Sequence, residues 1–250
     1  YSRLEDKGLL PEKEGWQANR IGPELDAIII GMHARKDNPE LVRGQELGIN
    51  IFSYPQFLYE VSKNMTRVVI AGSHGKTTTT AMVLHAMQHA DRSTNYMVGA
   101  QLEGFDCMVE LESDSEFMVM EGDEYLSSPI DLRPKFHLYR PNIAVITGIA
   151  WDHINVFPTI ENYVNQFQLF ADKIEKNGTL IYFEEDENVA QIGKSFPYNK
   201  IPYKVHKNRS KEGVSFLVDG QNEYRLSIFG DHNLQNLNAA LKICESLSVS

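Results

Sequence analysis

The chain has 250 residues, 42% of them hydrophobic and 23% charged, with a formal net charge of -10. That is enough for one large globular domain or two smaller ones, and the acidic balance excludes a nucleic-acid surface as the main partner, because phosphate backbones are held by clustered Lys and Arg. Cys107 and Cys244 stand far apart with no CxxC or Cys/His cluster, which supports neither a disulfide framework nor a zinc site and fits a reducing cytoplasm.

The opening YSRLEDKGLLPEKEGW is charged and interrupted by proline, and it lacks the apolar core of a signal peptide. No apolar run has the length of a bilayer span, so no membrane insertion is expected. DAIIIGM, residues 26 to 32, reads as a strand, and ELVRGQELGINIF as a helix, a turn at Gly48 and a second short strand. Only these strands precede residue 65, too few for a self-contained doubly wound sheet. Residues 1–64 are therefore expected to be part of a first domain cut short at its N-terminus.

A second α/β series, residues 65–250, starts with the strand TRVVIAG and the helix KTTTTAMVLHAMQHA. Buried-looking strands follow at EFMVMEG, NIAVITGI and GTLIYFEE, a pattern that predicts a mainly parallel sheet covered on both faces. GVSFLVDGQNEYRLSIFG reads as a hairpin turning at Asp219 and Gly220, and HNLQNLNAALKICESL as a final helix. Ile160, Tyr163, Phe167, Phe170 and Ile174 recur at helical spacing and read as core, as do Leu234, Leu237, Leu241 and Cys244.

The chemistry concentrates in AGSHGKTTTT, between a strand and a helix. Gly72 and Gly75 let backbone N–H groups approach phosphate oxygens, the helix N-terminus favours an anion, Lys76 neutralises charge, and the Thr77 hydroxyl suits Mg²⁺. The common Walker pattern would need glycine at position 70, where this chain has Ile70, so the loop is the shorter GxxGKT. An ordinary capped helix is the plainer alternative. Metal ligands for Mg·ATP belong at the C-terminal ends of neighbouring strands. Glu121 in EGDEY, and Asp152 with His153 in AWDH, sit at such ends, with Asp123, Glu124 and Asp152 as lesser candidates. In GDHNLQNLNAA, His232, Asn233 and Asn236 open the last helix, where amides can read an adenine edge or a ribose. Alternatively Asp231 or Asn233 simply caps that helix.

The GSHGKT loop, with histidine before its second glycine, resembles the ATP loop of the Mur ligase family, although Ser73 stands where the family usually has threonine. The resemblance covers nearly the whole chain and stops where a third domain should begin. It implies a P-loop central ATPase domain preceded by a truncated, Rossmann-like UDP-substrate domain, with the C-terminal domain absent. It further implies that Gly72, Ser73, His74, Gly75, Lys76, Thr77 and Thr78 bind ATP with His232, Asn233 and Asn236, and that Lys76, Glu121 and His153 serve catalysis. Thr77 and Glu121 would share one Mg²⁺, and His153 would serve a second. His33, Arg35 and Asn38 fall in GMHARKDNPEL, a loose match to the family's UDP-sugar loop.

Within the family, Asp131, Arg133, Lys135, Phe136 and Tyr139 match a branch that joins a recycled peptide amine to the lactyl carboxylate of UDP-N-acetylmuramate during peptidoglycan recycling. The branch that adds L-alanine during biosynthesis is the first alternative. A nucleotide-binding module that makes no bond, and a folate polyglutamate ligase, are further ones. Without the third domain, this stretch alone is expected to hold nucleotide weakly and to be nearly inactive.

Overall fold

The computed structural model describes residues 2–10, 14–211 and 213–249; Pro11, the interruption in the opening stretch, lies outside them. After a short helix α1 (Ser2–Asp6), strand β1 (Ala27–Ile30), helix α2 (Pro39–Leu47) and strand β2 (Asn50–Ser53) make a parallel βαβ unit with Ile28 opposite Ile51. Gly48 caps α2 in the left-handed conformation, as the turn read there requires. Helix α3 (Tyr54–Ser62), absent from the expectations above, starts from a capping box in which Ser53 and Gln56 exchange side-chain and backbone bonds. That S-x-x-Q spacing is the sequence signal that would have found it.

The larger sheet is built from β3 (Thr66–Ala71), β4 (Thr94–Met97), β5 (Val109–Glu110), β6 (Phe117–Gly122), β9 (Ile143–Ile146), β10 (Thr179–Phe183) and β11 (Asn199–Tyr203). Between β6 and β9 lies a small hairpin of β7 (Leu126–Ser128) and β8 (Asp131–Pro134). The seven strands run in the order β11-β10-β9-β3-β6-β4-β5, all parallel except β5, which is antiparallel to β4. The expected mainly parallel sheet is thus present. From β3 the chain moves to one side for β4 to β6 and to the other for β9 to β11. That reversal opens a crevice at the C-terminal end of β3, the usual ligand position in such sheets.

Alternate residues of the central strands feed two cores. Val69, Ala71, Met118, Met120, Ala144 and Ile146 pack under α5 (Ile160–Ala171) and α6 (Glu187–Ser195), with Leu58 of α3 in the same cluster. Val68, Ile70, Val119 and Val145 pack on the other face with Val83, Leu84 and Met87 of α4 (Lys76–His89) and Ala239, Ala240 and Ile243 of α7 (Asp231–Ser246). Burial of the Val, Leu, Ile and Met side chains among these stabilises the fold by roughly 1.5–3 kcal/mol each. Arg67 is the buried exception: its guanidinium donates to the carbonyls of Ser62, Met65, Tyr139 and Arg140 and approaches Glu175, tying α3 to the base of the sheet.

Two sequence expectations shift. The hairpin pairs Asp219 with Asn222, so β13 (Val214–Asp219) and β14 (Asn222–Leu226) turn at Gly220 and Gln221, one residue later than read. Gly220 takes φ +59 at the first turn position, where two-residue hairpins favour glycine. A third strand, β12 (Asn208–Lys211), joins this separate antiparallel sheet. On α7, Leu234 and Cys244 are buried but Leu237 and Leu241 are only partly so; the inner face runs through Asn236, Ala239, Ala240 and Ile243. No helix among the described residues is long and apolar enough to cross a membrane.

Candidate active site

The segment from Gly72 to Thr77 leaves β3 at the crevice and enters α4. Gly72 takes φ +136, and a Cβ there would run into the Thr147 hydroxyl; Gly75 takes φ +81, and a Cβ there would run into the Asn236 side-chain amide. Only glycine fits both the angle and the space. The turn is stitched to the segment after β9. Ser73 N–H donates to Gly148 O at 2.9 Å, Thr147 Oγ1 donates to His74 O at 2.5 Å, and Ser73 Oγ accepts from Ala150 N at 2.9 Å while donating to Ala150 O at 2.8 Å. Gln235 of α7 donates to Thr147 O at 2.5 Å, so the final helix is anchored to the same segment.

At the start of α4, Lys76 Nζ donates to Gly72 O at 2.5 Å and to Glu124 Oε2 at 3.2 Å. Thr77 Oγ1 donates to Glu121 Oε2 at 3.1 Å. Glu121 is buried at the end of β6, and its other oxygen, Oε1, has no hydrogen-bond partner. A buried carboxylate oxygen without a donor is costly, and an oxygen-preferring cation beside the Thr77 hydroxyl would relieve that cost. These two residues fit such an ion, although no group of three or more His, Cys, Asp and Glu is assembled for a metal among the described residues.

Glu124, ranked in the sequence as a lesser candidate, lies at the centre of the cluster. It is 1% exposed. Its Oε1 accepts from the Tyr163 hydroxyl at 2.9 Å and lies 3.6 Å from His153 Nε2. His153 holds a left-handed backbone, φ +54, and its ring meets Tyr125 edge-on at 5.2 Å. Tyr163 is core, as its helical spacing implies, and adds a polar contact that the spacing does not report. The ring is core, packed against Phe157 and Phe167, but the hydroxyl turns into the site and also lies 3.1 Å from Ser73 Oγ. Spacing along a helix reports the buried face and not where a phenol's oxygen ends. Burial, aided by the Glu124 charge, holds this phenol well above its ordinary pKa, so it stays a donor. Asp123 behaves oppositely: burial would raise its carboxyl, but the Lys135 ammonium at 2.5 Å and the Tyr125 N–H outweigh that and hold it below its usual value.

The remaining candidates separate. Asn236 is buried against Gly75 and, with His74, Gly148, Ile149, Ala150, Phe183 and Asp186, lines a cavity of about 220 Å³ beside the turn. Asp186 accepts from Ile149 N–H at 2.8 Å there and was not singled out in the sequence. Thr78 and His74 are exposed. Asn233 donates back to Phe229 O and His232 is exposed beside Gly230, whereas neither Asp231 nor Asn233 caps α7, whose N-cap is Gly230 without a side-chain bond. In the small unit, Arg35 pairs with Asp37 on the surface, His33 is exposed, and Asn38 caps α2 by accepting from Glu40 and Leu41 N–H. Asp152 accepts from His153 N–H at 2.6 Å.

A mainly parallel α/β domain, with its polar cluster at the C-terminal ends of β3, β6 and β9 beside a glycine turn, defines a ligand-binding domain of the open-sheet class. The profile named Mur ligase middle domain matches residues 70–244. The chain belongs to the Mur ligase family. A UDP-N-acetylmuramate--L-alanine ligase of Caldicellulosiruptor saccharolyticus is 32% identical, over 94% of this chain and 53% of its own length. The structure of a UDP-N-acetylmuramate:L-alanyl-gamma-D-glutamyl-meso-diaminopimelate ligase from Neisseria meningitides matches 99% of this chain and 82% of its own, with a TM-score of 0.85 at 23% identity. A UDP-N-acetylmuramate-alanine ligase structure from Thermotoga maritima matches with a TM-score of 0.71 at 21% identity, over 99% of this chain and 56% of its own. The chain spans about half the length of the curated relatives it matches.

Proposed function

We propose that residues 65–250 are the ATP-binding domain, and residues 1–64 part of the UDP-substrate domain, of an ATP-dependent ligase. The whole protein joins a peptide amine to the lactyl carboxylate of UDP-N-acetylmuramate in peptidoglycan recycling. The observation that carries this reading is the pairing of Lys76 with Glu124 and of Thr77 with Glu121 at the mouth of the glycine turn. An ammonium and a hydroxyl are thereby held by carboxylates at the point where a triphosphate would lie against the N-terminus of α4.

A carboxylate is a poor electrophile and needs activation. Its oxygen attacks the γ-phosphorus, the bond to ADP breaks, and an acyl phosphate forms; the amine then attacks the acyl carbon, loses a proton, and inorganic phosphate leaves. The backbone N–H groups of residues 73–77 orient the phosphates, and Lys76 exchanges Glu124 for phosphate oxygens and offsets the growing charge. Thr77 and Glu121 would hold one Mg²⁺ and His153 would serve a second; magnesium, when bound, would supply charge neutralisation. Asn236, Asp186 and the 220 Å³ cavity beside the turn suit the nucleoside end of ATP.

L-alanine as the amine substrate is the second reading, favoured by the name of the 32% identical relative. The test is ADP release by the full-length protein with UDP-N-acetylmuramate and either L-alanyl-γ-D-glutamyl-meso-diaminopimelate or free L-alanine. Release with the tripeptide alone supports the first reading, and release with L-alanine alone the second. ADP release that needs neither amine nor UDP-sugar overturns both.

A further inference from the structure

Glu124 presents a physical problem that the reaction above does not solve. It is an almost fully buried carboxylate beside the ammonium that has to reach for ATP. Once Lys76 turns to the phosphates, Glu124 loses its closest cation, and a buried carboxylate left with too few donors either moves or takes up a proton. His153 Nε2, at 3.6 Å, lies beyond hydrogen-bond reach. The Tyr163 hydroxyl, at 2.9 Å, is the one hydrogen-bond donor to Oε1 among the described residues. The Tyr163 hydroxyl oxygen also lies 3.1 Å from Ser73 Oγ, which is bonded in both directions to Ala150.

We propose that Tyr163 is a positioning residue: its hydroxyl pins Glu124 in place, between Lys76 and His153 and against the glycine turn, so that Lys76 is handed to the phosphates without the carboxylate following it. The inference rests on the ligase reading for its kinetic consequence. The ring belongs to the core and the hydroxyl belongs to the site, so the two can be removed separately. Tyr163→Phe deletes the oxygen and keeps the packing against Phe157 and Phe167.

The experiment uses the full-length protein with Tyr163→Phe, read by steady-state kinetics, melting midpoint and a crystal structure with a non-hydrolysable ATP analogue bound, each compared with the wild-type enzyme. Loss of a hydrogen bond to a charged group predicts a fall in kcat of about tenfold or more, with the KM for ATP changed by less than about threefold and the melting midpoint nearly unmoved. In the crystal, the Glu124 carboxylate of the variant leaves the position it holds in the wild-type complex and follows Lys76. Tyr163→Leu, which also empties part of the core, lowers the melting midpoint as well and so marks what a purely structural loss looks like. A Tyr163→Phe enzyme with wild-type kcat, or one in which Glu124 has not moved, overturns the proposal. Failure of the ligase reading is recognised separately, in the wild-type enzyme's indifference to UDP-sugar and amine, and the position of Glu124 still decides the inference in that case.

Discussion

The glycine turn and the small N-terminal unit both carry polar residues in short loops, yet they hold them differently. At the turn, three side chains are gripped by partners distant in sequence: Lys76 by Glu124, Thr77 by Glu121, Ser73 by Ala150 and Tyr163. In the N-terminal loop, Arg35 bonds Asp37, and Asn38 accepts from the Glu40 and Leu41 N–H groups of its own helix. Long-range partners fix a side chain to the fold, whereas local ones fix it only to its own turn. The first region is therefore organised before a ligand arrives. In the second, Asn38 is committed to its helix, Arg35 to the neighbouring Asp37, and His33 is exposed.

The sharpest way to break this contrast is Lys76→Ala. It should lower acyl-phosphate formation by roughly 100-fold or more and leave the circular-dichroism spectrum intact, and unchanged phosphate transfer would remove the turn from the chemistry. Glu121→Gln should raise the magnesium concentration needed for half-maximal activity by at least about tenfold, read from a metal titration, because Thr77 then shares a neutral amide. On the other side of the comparison, Asn38→Ala should cost about 1 kcal/mol in denaturant unfolding through loss of the cap on α2.

A smaller effect belongs to Asp123. Its folded carboxyl titrates below the ordinary 3.8, with burial outweighed by Lys135 and the Tyr125 N–H, so its bond stabilises the fold above the unfolded value and that contribution fades as pH falls through the folded one. Lys135→Met should therefore destabilise by less than about 1 kcal/mol near neutrality, the carboxylate being 38% exposed, and by nothing in strong acid. Equal losses at both pH values would detach the effect from this pair. Arg35→Ala is expected to leave the melting midpoint unchanged, and weaker UDP-sugar binding by that variant would show the loop to be recruited.

Much of the architecture was legible because its signals are local. Strand β3, the glycine turn and α4 are consecutive, and the continuous apolar runs of β3, β6 and β9 announce strands buried on both faces. Strand β11 escaped because NKIPY is a polar edge strand containing Pro202, and β12 because all of Asn208–Lys211 is exposed. Glu121 and Glu124 stand in one visible string, but which of them is buried against Lys76 and Tyr163 depends on helix α5, some 40 residues on. Asn236 was readable as an amide opening a helix; its contact with Gly75 was not, since nothing near either residue encodes the docking of α7 onto α4.

That last contact gives the site an assembly order. The central strand that feeds the loop can pair early with its neighbours, but the wall pressed against residue 75 arrives only when a helix encoded more than half the chain later has docked. Contacts so far apart in sequence form late and slowly. On the ribosome, the sheet would thus be largely built before the loop has its far wall, and nucleotide would stabilise only the completed domain, acting on the final docking step and not on the sheet's formation.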